Sequence, residues 1–230
     1  MKKPQLILLI TLLTYSTVFS QKGNSINNAI SDISDVFRYK NPTSNYKNYE
    51  GDPYFNNQFI LGTINNTNAK KIYSYQMRYN VYEDKIEIQK EDKSIVYLAK
   101  ATNFNVLILG KTFVLKTYED KGENNEGYLE LLLNKSNIEL YKKHKRTLIS
   151  AKKAKSSYEE DKLARFNSSE SFYYKLGNSK VLLLPKSKKD FLKSFSDKSN
   201  DIASFMKHNK LKKSKKEDII KILEYYSTLK

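Results

Sequence analysis

Residues 71–89, Lys-Ile-Tyr-Ser-Tyr-Gln-Met-Arg-Tyr-Asn-Val-Tyr-Glu-Asp-Lys-Ile-Glu-Ile-Gln, decide the fold class. Tyr73, Tyr75, Met77 and Tyr79 fall on every second position, and Ile86 and Ile88 do the same after Glu83-Asp84. A period of two places one set of side chains on one face of an extended chain, so the stretch reads as two strands joined by a turn. Tyrosine and β-branched residues fit the pleated, half-buried surface that such a pair creates.

The same pattern extends in both directions. Phe59–Ile64 precedes it, and Glu91-Asp92-Lys93 turns the chain into Ser94–Leu98. Asn103–Leu109 and Thr112–Tyr118 flank Gly110-Lys111, and Tyr128–Leu133 faces the run from Ile138 across Asn134–Asn137. Glu119–Gly127, acidic and punctuated by glycine, reads as a loop. The lysine-rich stretch from Lys142 reads as a long strand through Ile149, then a loop or helix from Ser156. Ser171–Leu176 and Lys180–Leu184 meet at Gly177-Asn178.

Past Pro185 the apolar period becomes helical. Ser187–Phe195 begins with a capping-like Ser-Lys-Lys-Asp and aligns Phe191, Leu192 and Phe195. Asp201–Asn209 aligns Ile202, Phe205 and Met206. Ser214-Lys-Lys-Glu217 has the form of a capping box before Ile219, Ile220, Ile222, Leu223, Tyr226 and Leu229. The expected class is α+β: an antiparallel sheet, with a half-barrel or roll as its candidate form, and a C-terminal tail of three short amphipathic helices.

Four segments follow: a signal peptide over 1–20, a loosely structured leader over 21–50, a β domain over 51–185 and a helical tail over 186–230 packed on it. Lys2 and Lys3 precede an apolar run from Leu6 to Phe19, and polar Gln21-Lys22-Gly23-Asn24 follows. The run is shorter than the ~20 apolar residues of a membrane span, so cleavage near Ser20–Gln21 is expected over an anchor. The chain has no Cys, which excludes disulfides, thiolate metal sites, cysteine nucleophiles and a lipid-modified N-terminus. An exported, cysteine-free protein suits a bacterial periplasm or cell surface.

Charge is polarised along the chain. Residues 21–134 carry 14 basic and 14 acidic residues, whereas residues 135–230 carry 25 and 11. Two clusters dominate: Lys142, Lys143, Lys145, Arg146, Lys152, Lys153 and Lys155, then Lys207, Lys210, Lys212, Lys213, Lys215 and Lys216. Selected charge predicts one continuous basic face for an anionic lipid or lipopolysaccharide. Solvated lysine from a lysine-rich composition is the plainer account. With Arg so scarce, nucleic acid is not expected as a partner.

Chemistry is sparse. Ser-x-x-Lys occurs at Ser44, Ser150, Ser204 and Ser227, as chance predicts for a chain this rich in both residues. His144 and His208 are the only histidines, and neither has a serine and carboxylate arrangement visible in sequence. No Walker loop, dinucleotide fingerprint or EF-hand loop is present. The sequence therefore predicts no catalytic residue, no cofactor and no metal.

The densest unusual segment is Tyr75–Glu87, in which Arg78 lies among tyrosines beside Glu83, Asp84 and Glu87. A guanidinium between aromatic faces can pair with a carboxylate and lock the hairpin, or can meet a partner. Gly51-Asp52-Pro53-Tyr54-Phe55, Phe59 and Gly62, followed by Met77-Arg78-Tyr79-Asn80-Val81-Tyr82-Glu83-Asp84-Lys85-Ile86-Glu87, resemble a family of uncharacterised exported envelope proteins of Bacteroidetes with a G-x-P-Y … R-Y-N-x-Y-x-D-x-I-E stretch. The helical end, with Lys188–Leu192, Phe205–Lys207, Glu217–Ile220 and Tyr225-Tyr226, is similar as well. The resemblance implies export and an envelope setting. Together these features predict a non-enzymatic protein associated with the outer membrane that binds another macromolecule, an outer-membrane protein or complex. Its expected contact residues are Arg78, Tyr79, Asn80, Tyr82, Lys142, Lys143, Lys145, Arg146, Lys210, Lys212, Lys213, Lys215 and Lys216. The alternative is a glycan- or lipid-binding β domain with a Tyr-lined pocket.

Overall fold

In the computed structural model, residues 37–39, 46, 49–136, 138–156 and 158–229 are described. The expected signal peptide and residues 21–36 of the expected leader lie outside them. In chain order the strands are β1 (Phe37–Tyr39), β2 (Ile60–Asn66), β3 (Lys71–Asn80), β4 (Lys85–Gln89), β5 (Ile95–Leu98) and β6 (Phe104–Ile108). They continue with β7 (Lys111–Asp120), β8 (Glu123–Lys135), β9 (Ile138–Ile149), β10 (Arg165–Leu176) and β11 (Val181–Leu183). Helices α1 (Lys188–Lys193), α2 (Ser199–His208) and α3 (Lys216–Thr228) close the chain, with a 3-10 turn at Ser196–Lys198 between the first two.

All eleven strands join one sheet in the order β1-β5-β4-β3-β2-β6-β7-β11-β10-β9-β8, and β8 also pairs with β7. The pairings β7–β8, β8–β9, β9–β10, β10–β11 and β11–β7 therefore form a closed circuit of five strands. Closure depends on β11, which runs parallel to β7 through Val181↔Tyr118 and Leu182↔Glu119. The sheet is thus mixed, where an antiparallel one was expected. Every other strand pairing in the sheet is antiparallel, most of them through hairpins, and an isolated parallel bridge joins Glu50 to Arg165.

Two further differences have local causes. The expected acidic loop over Glu119–Gly127 is instead the tip of a long hairpin, turning at Lys121 (φ 54°) and Gly122 (φ 86°). Two consecutive left-handed residues make the tight turn whose twist matches its strands. Because this tip stands beyond the core, it has no apolar alternation to reveal it as strand. Part of the leader is also paired: β1 matches Phe37 to Leu98, and Tyr46 and Tyr49 pack against Phe166.

Three apolar clusters organise the molecule. Ile64, Tyr75, Met77, Tyr79, Ile86, Phe104, Val106 and Phe113 share the first, on one face of β2–β7. Val114, Leu129, Tyr141, Tyr173 and Val181, one residue from each strand of the circuit, form the second. The third joins Ile138, Leu140 and Tyr174 to Phe191, Phe195, Ile202, Met206, Ile219, Ile222, Leu223 and Tyr226, with Leu132 and Leu133 packed against it, so the helices lie on β8, β9 and β10. Ser187 caps α1 through a bond from the Asp190 amide. Ser214 does not cap α3, whose N-cap is Lys215 without a side-chain bond; Asp218 instead accepts from the Lys212 amide.

Gly62 marks the tightest strand packing. A Cβ there would stand 2.7 Å from the Leu107 carbonyl oxygen and 2.8 Å from Met77 Sδ. The carbonyl belongs to a neighbouring strand and cannot step aside without moving the sheet. Gly62→Ala should therefore lower stability by about 1–3 kcal/mol, read as a lower urea midpoint at constant slope. An unchanged midpoint would show that β2 and β6 separate freely.

Candidate functional site

The two segments singled out in sequence, 51–59 and 77–87, come together as one hydrogen-bonded unit. On β3 the odd residues face the core, which leaves Arg78 on the opposite face beneath Tyr54, Asn57 and Phe59. Its guanidinium lies 3.8 Å from the Tyr54 ring centroid and 4.4 Å from that of Phe59. Nε donates to Glu87 Oε2 at 2.8 Å, Nη1 to the Asn57 carbonyl at 3.1 Å and Nη2 to the Tyr54 hydroxyl at 2.7 Å. Glu87 is fully buried directly across the ladder, and Asn80 Nδ2 donates to its other oxygen at 3.3 Å. Arg146 holds the same segment from β9 by donating to the Asp52 and Tyr54 carbonyls.

Asp84 is a second centre. Held at φ 54° in the β3–β4 turn, its carboxylate accepts from Tyr79 Oη at 2.6 Å, Lys143 Nζ at 2.6 Å and Lys100 Nζ at 2.8 Å. The Tyr128 amide donates to it as well. Burial alone would raise the pKa of Asp84, but Lys143, Lys100 and Tyr79 together hold it below the ordinary 3.8. Burial in turn lowers that of Lys143 against the pull of Asp84. Gly127 makes room for the pair: a Cβ there would come within 2.7 Å of both Asp84 Oδ2 and Lys143 Nζ.

These findings reassign several expected contact residues. Arg78, Tyr79 and Asn80 are used inside the protein, Tyr79 and Asn80 with no exposed surface, whereas a partner-binding role needs accessible groups. Tyr82 stays 42 % exposed, edge-on to Phe166. On β9 the side chains alternate, so Lys142 and Arg146 lie on one face and Lys143 and Lys145 on the other. Lys142 pairs with Glu170 at 2.9 Å, Lys143 with Asp84, and Arg146 with backbone carbonyls. The expected continuous basic face therefore does not include this cluster as a unit; of the four, Lys145 remains exposed. His144 is buried between Glu130 (2.6 Å) and Glu170 (3.2 Å), carboxylates supplied by the strands on either side and invisible to a local reading. In the second cluster Lys210, Lys212 and Lys215 are exposed, Lys216 pairs with Glu217, and Lys213 donates to the Lys186 carbonyl.

A cavity of about 540 Å³ opens where the β3–β4 turn meets the end of the strand circuit, and all five circuit strands line it. Its aromatic walls are Tyr82, Tyr118 and Tyr173, the last two edge-to-face at 4.8 Å. Burial pushes the Tyr118 hydroxyl up to about 12, with the Asp84 and Asp120 charges adding to the shift, so it stays a neutral donor. Tyr173 is raised further, again mainly by burial, with Asp120 beside it. Asp120 lines the cavity beside them. Its Oδ1 is shielded from solvent and accepts no hydrogen bond. Sequence gave no sign of it, since Asp120 falls in the stretch that reads as a loop. Among the described residues no group of three or more His, Asp or Glu side chains is placed to hold a metal ion, and no helix is long and apolar enough to cross a membrane.

Comparison of the chain with protein-family models, with curated proteins and with solved structures found no match.

Proposed function

We propose that the protein is a non-enzymatic, exported binding protein of the cell envelope, and that the cavity at the end of the strand circuit holds an oligosaccharide. The observation that carries this reading is Asp120. A shielded carboxylate oxygen without a donor is costly, and the same side chain lines the cavity beside Tyr118 and Tyr173. Tyrosine rings beside a carboxylate suit a polyol, whose C–H faces lie on the rings while its hydroxyls donate to the acid. The whole lining carries four carboxylates (Asp84, Asp120, Glu126 and Glu170) against five cations (Lys121, Lys143, Lys145, Arg146 and Lys186), a near balance that favours an uncharged ligand over an ion. A rolled β1–β7 sheet fits this account, because Ile64, Met77, Ile86 and Phe113 are fully buried in a cluster of strand and connection residues with no helical member.

Titration calorimetry of the exported chain with a panel of neutral oligosaccharides tests the reading. Asp120→Asn and Tyr118→Ala should each weaken binding at least tenfold, with little change in melting temperature for Asp120→Asn. Binding indifferent to both changes would place the ligand elsewhere, and cleavage of the sugar would make the protein a hydrolase.

A macromolecular partner at the outer membrane is the second reading. It is favoured by the long β9–β10 connection, where Ile149 and Leu163, exposed at 40 % and 56 %, line a cavity of about 710 Å³ and Tyr158 on the same connection is 98 % exposed. Large exposed apolar side chains gathered in one place mark contact surfaces.

A further inference from the structure

The corner between α2 and α3 has a composition that neither the core nor the oligosaccharide cavity requires. Lys188, Lys207, Lys210, Lys212 and Lys213 surround a depression of about 490 Å³ whose apolar floor is Met206 and Leu211. No carboxylate lines it. Lys188, Lys207, Lys210 and Lys212 are exposed and make no ion pair among the described residues. Lys213 instead donates to the Lys186 carbonyl, which ties the loop down at the end of β11. Ser214, released from capping α3, lines the same depression.

Leu211 also lines a second depression of about 500 Å³ beside it, with Phe205 and Tyr225. Those two rings are stacked, with centroids 4.0 Å apart and planes at 11°. An apolar strip therefore runs from Met206 across Leu211 to an aromatic slab, with four unpaired ammonium groups along one side. A soluble phosphoanion would need polar donors at the floor as well as the rim. An amphiphile needs the arrangement seen here, hydrocarbon under the strip and an anionic head against the lysines.

We infer that this corner docks the protein on an anionic phospholipid surface, with headgroup phosphates between Lys188, Lys207, Lys210 and Lys212 and the Leu211–Phe205–Tyr225 strip at the headgroup boundary. The site is separate from the oligosaccharide cavity, and either assignment stands without the other. Each lysine near an anionic bilayer contributes about fivefold in partitioning, so four supply two to three orders of magnitude. Attachment of this kind is reversible and weakens as salt rises towards physiological strength.

Vesicle flotation of the exported chain tests it, using phosphatidylcholine with and without one-third phosphatidylglycerol. Binding should require phosphatidylglycerol. Replacing Lys188, Lys207, Lys210 and Lys212 together by Gln should lower the partition coefficient about a hundredfold or more. The matched set Lys152, Lys153, Lys155 and Lys162 to Gln, on the β9–β10 connection, should lower it less than tenfold. Tyr225→Ser should abolish the fraction that stays bound at high salt. Equal losses from both lysine sets would reduce the effect to net charge, and complete displacement by millimolar inorganic phosphate would make the corner a soluble-anion site. Either result, or no binding to phosphatidylglycerol vesicles by a folded chain, overturns lipid docking.

Discussion

Asp84→Ala should lower the stability of the protein by about 3–5 kcal/mol, the largest effect expected of any single truncation outside the apolar clusters. The change strands Lys143, whose side chain is 13 % exposed, with no anion, and removes the acceptor for Tyr79 Oη and Lys100. The loss should separate from a packing defect in a double mutant. Asp84→Ala with Lys143→Met removes the stranded charge and should recover part of the stability, whereas simple additivity would show that the pair contributes nothing. Acid should act on the same group. A carboxylate whose folded-state pKa lies below its unfolded value adds stability that is complete above the unfolded value and is lost as pH falls through the folded one. Asp84 is lowered from 3.8, and Glu83, Glu130 and Glu139 are lowered from 4.5. Stability should therefore hold down to about pH 5 and decline below pH 4, with a shallower decline in Asp84→Asn. A melting temperature flat from pH 5 to pH 2 would be evidence against the network.

Arg78→Ala should cost a similar amount, about 3–5 kcal/mol, because fully buried Glu87 would lose the guanidinium that pairs with it. Arg78→Lys is the more instructive change. A single ammonium can neutralise Glu87, yet it cannot at the same time reach Asn57 and Tyr54 or stack between two rings. The expected loss is about 2–3 kcal/mol, seen as a melting temperature lower by roughly 4–12 °C. Unchanged melting together with lost binding to a partner would return Arg78 to a contact role.

The hairpin in which Arg78 sits was legible in the sequence because both of its strands bury one face, so burial repeats every second residue. Three C-terminal helices were legible for the corresponding reason at a period of 3.6. Where burial stops repeating, the reading fails. The Lys121-Gly122 turn joins strand ends outside the apolar clusters, and a polar run of that kind is the same in a loop and in a hairpin tip. The lysines over residues 142–146 show the converse: a run of like charges suggests a solvated patch, but a strand sends neighbours to opposite faces, where Glu170, Asp84 and the Asp52 carbonyl await them.

Local pattern thus determined most of the elements, their type, the absence of cysteine chemistry and the location of excess charge. Tertiary structure alone decided that β11 returns parallel to β7 and closes the circuit, that Asp84 meets a lysine 59 residues further on, and that one carboxylate oxygen of Asp120 is left without a donor in a cavity walled by Tyr118 and Tyr173. The physical reason is one of range. Strand and helix periods record what each residue's own face experiences, so they are written into neighbouring positions. Which faces meet is fixed by packing and pairing between segments far apart in the chain, and a binding site is made of those meetings.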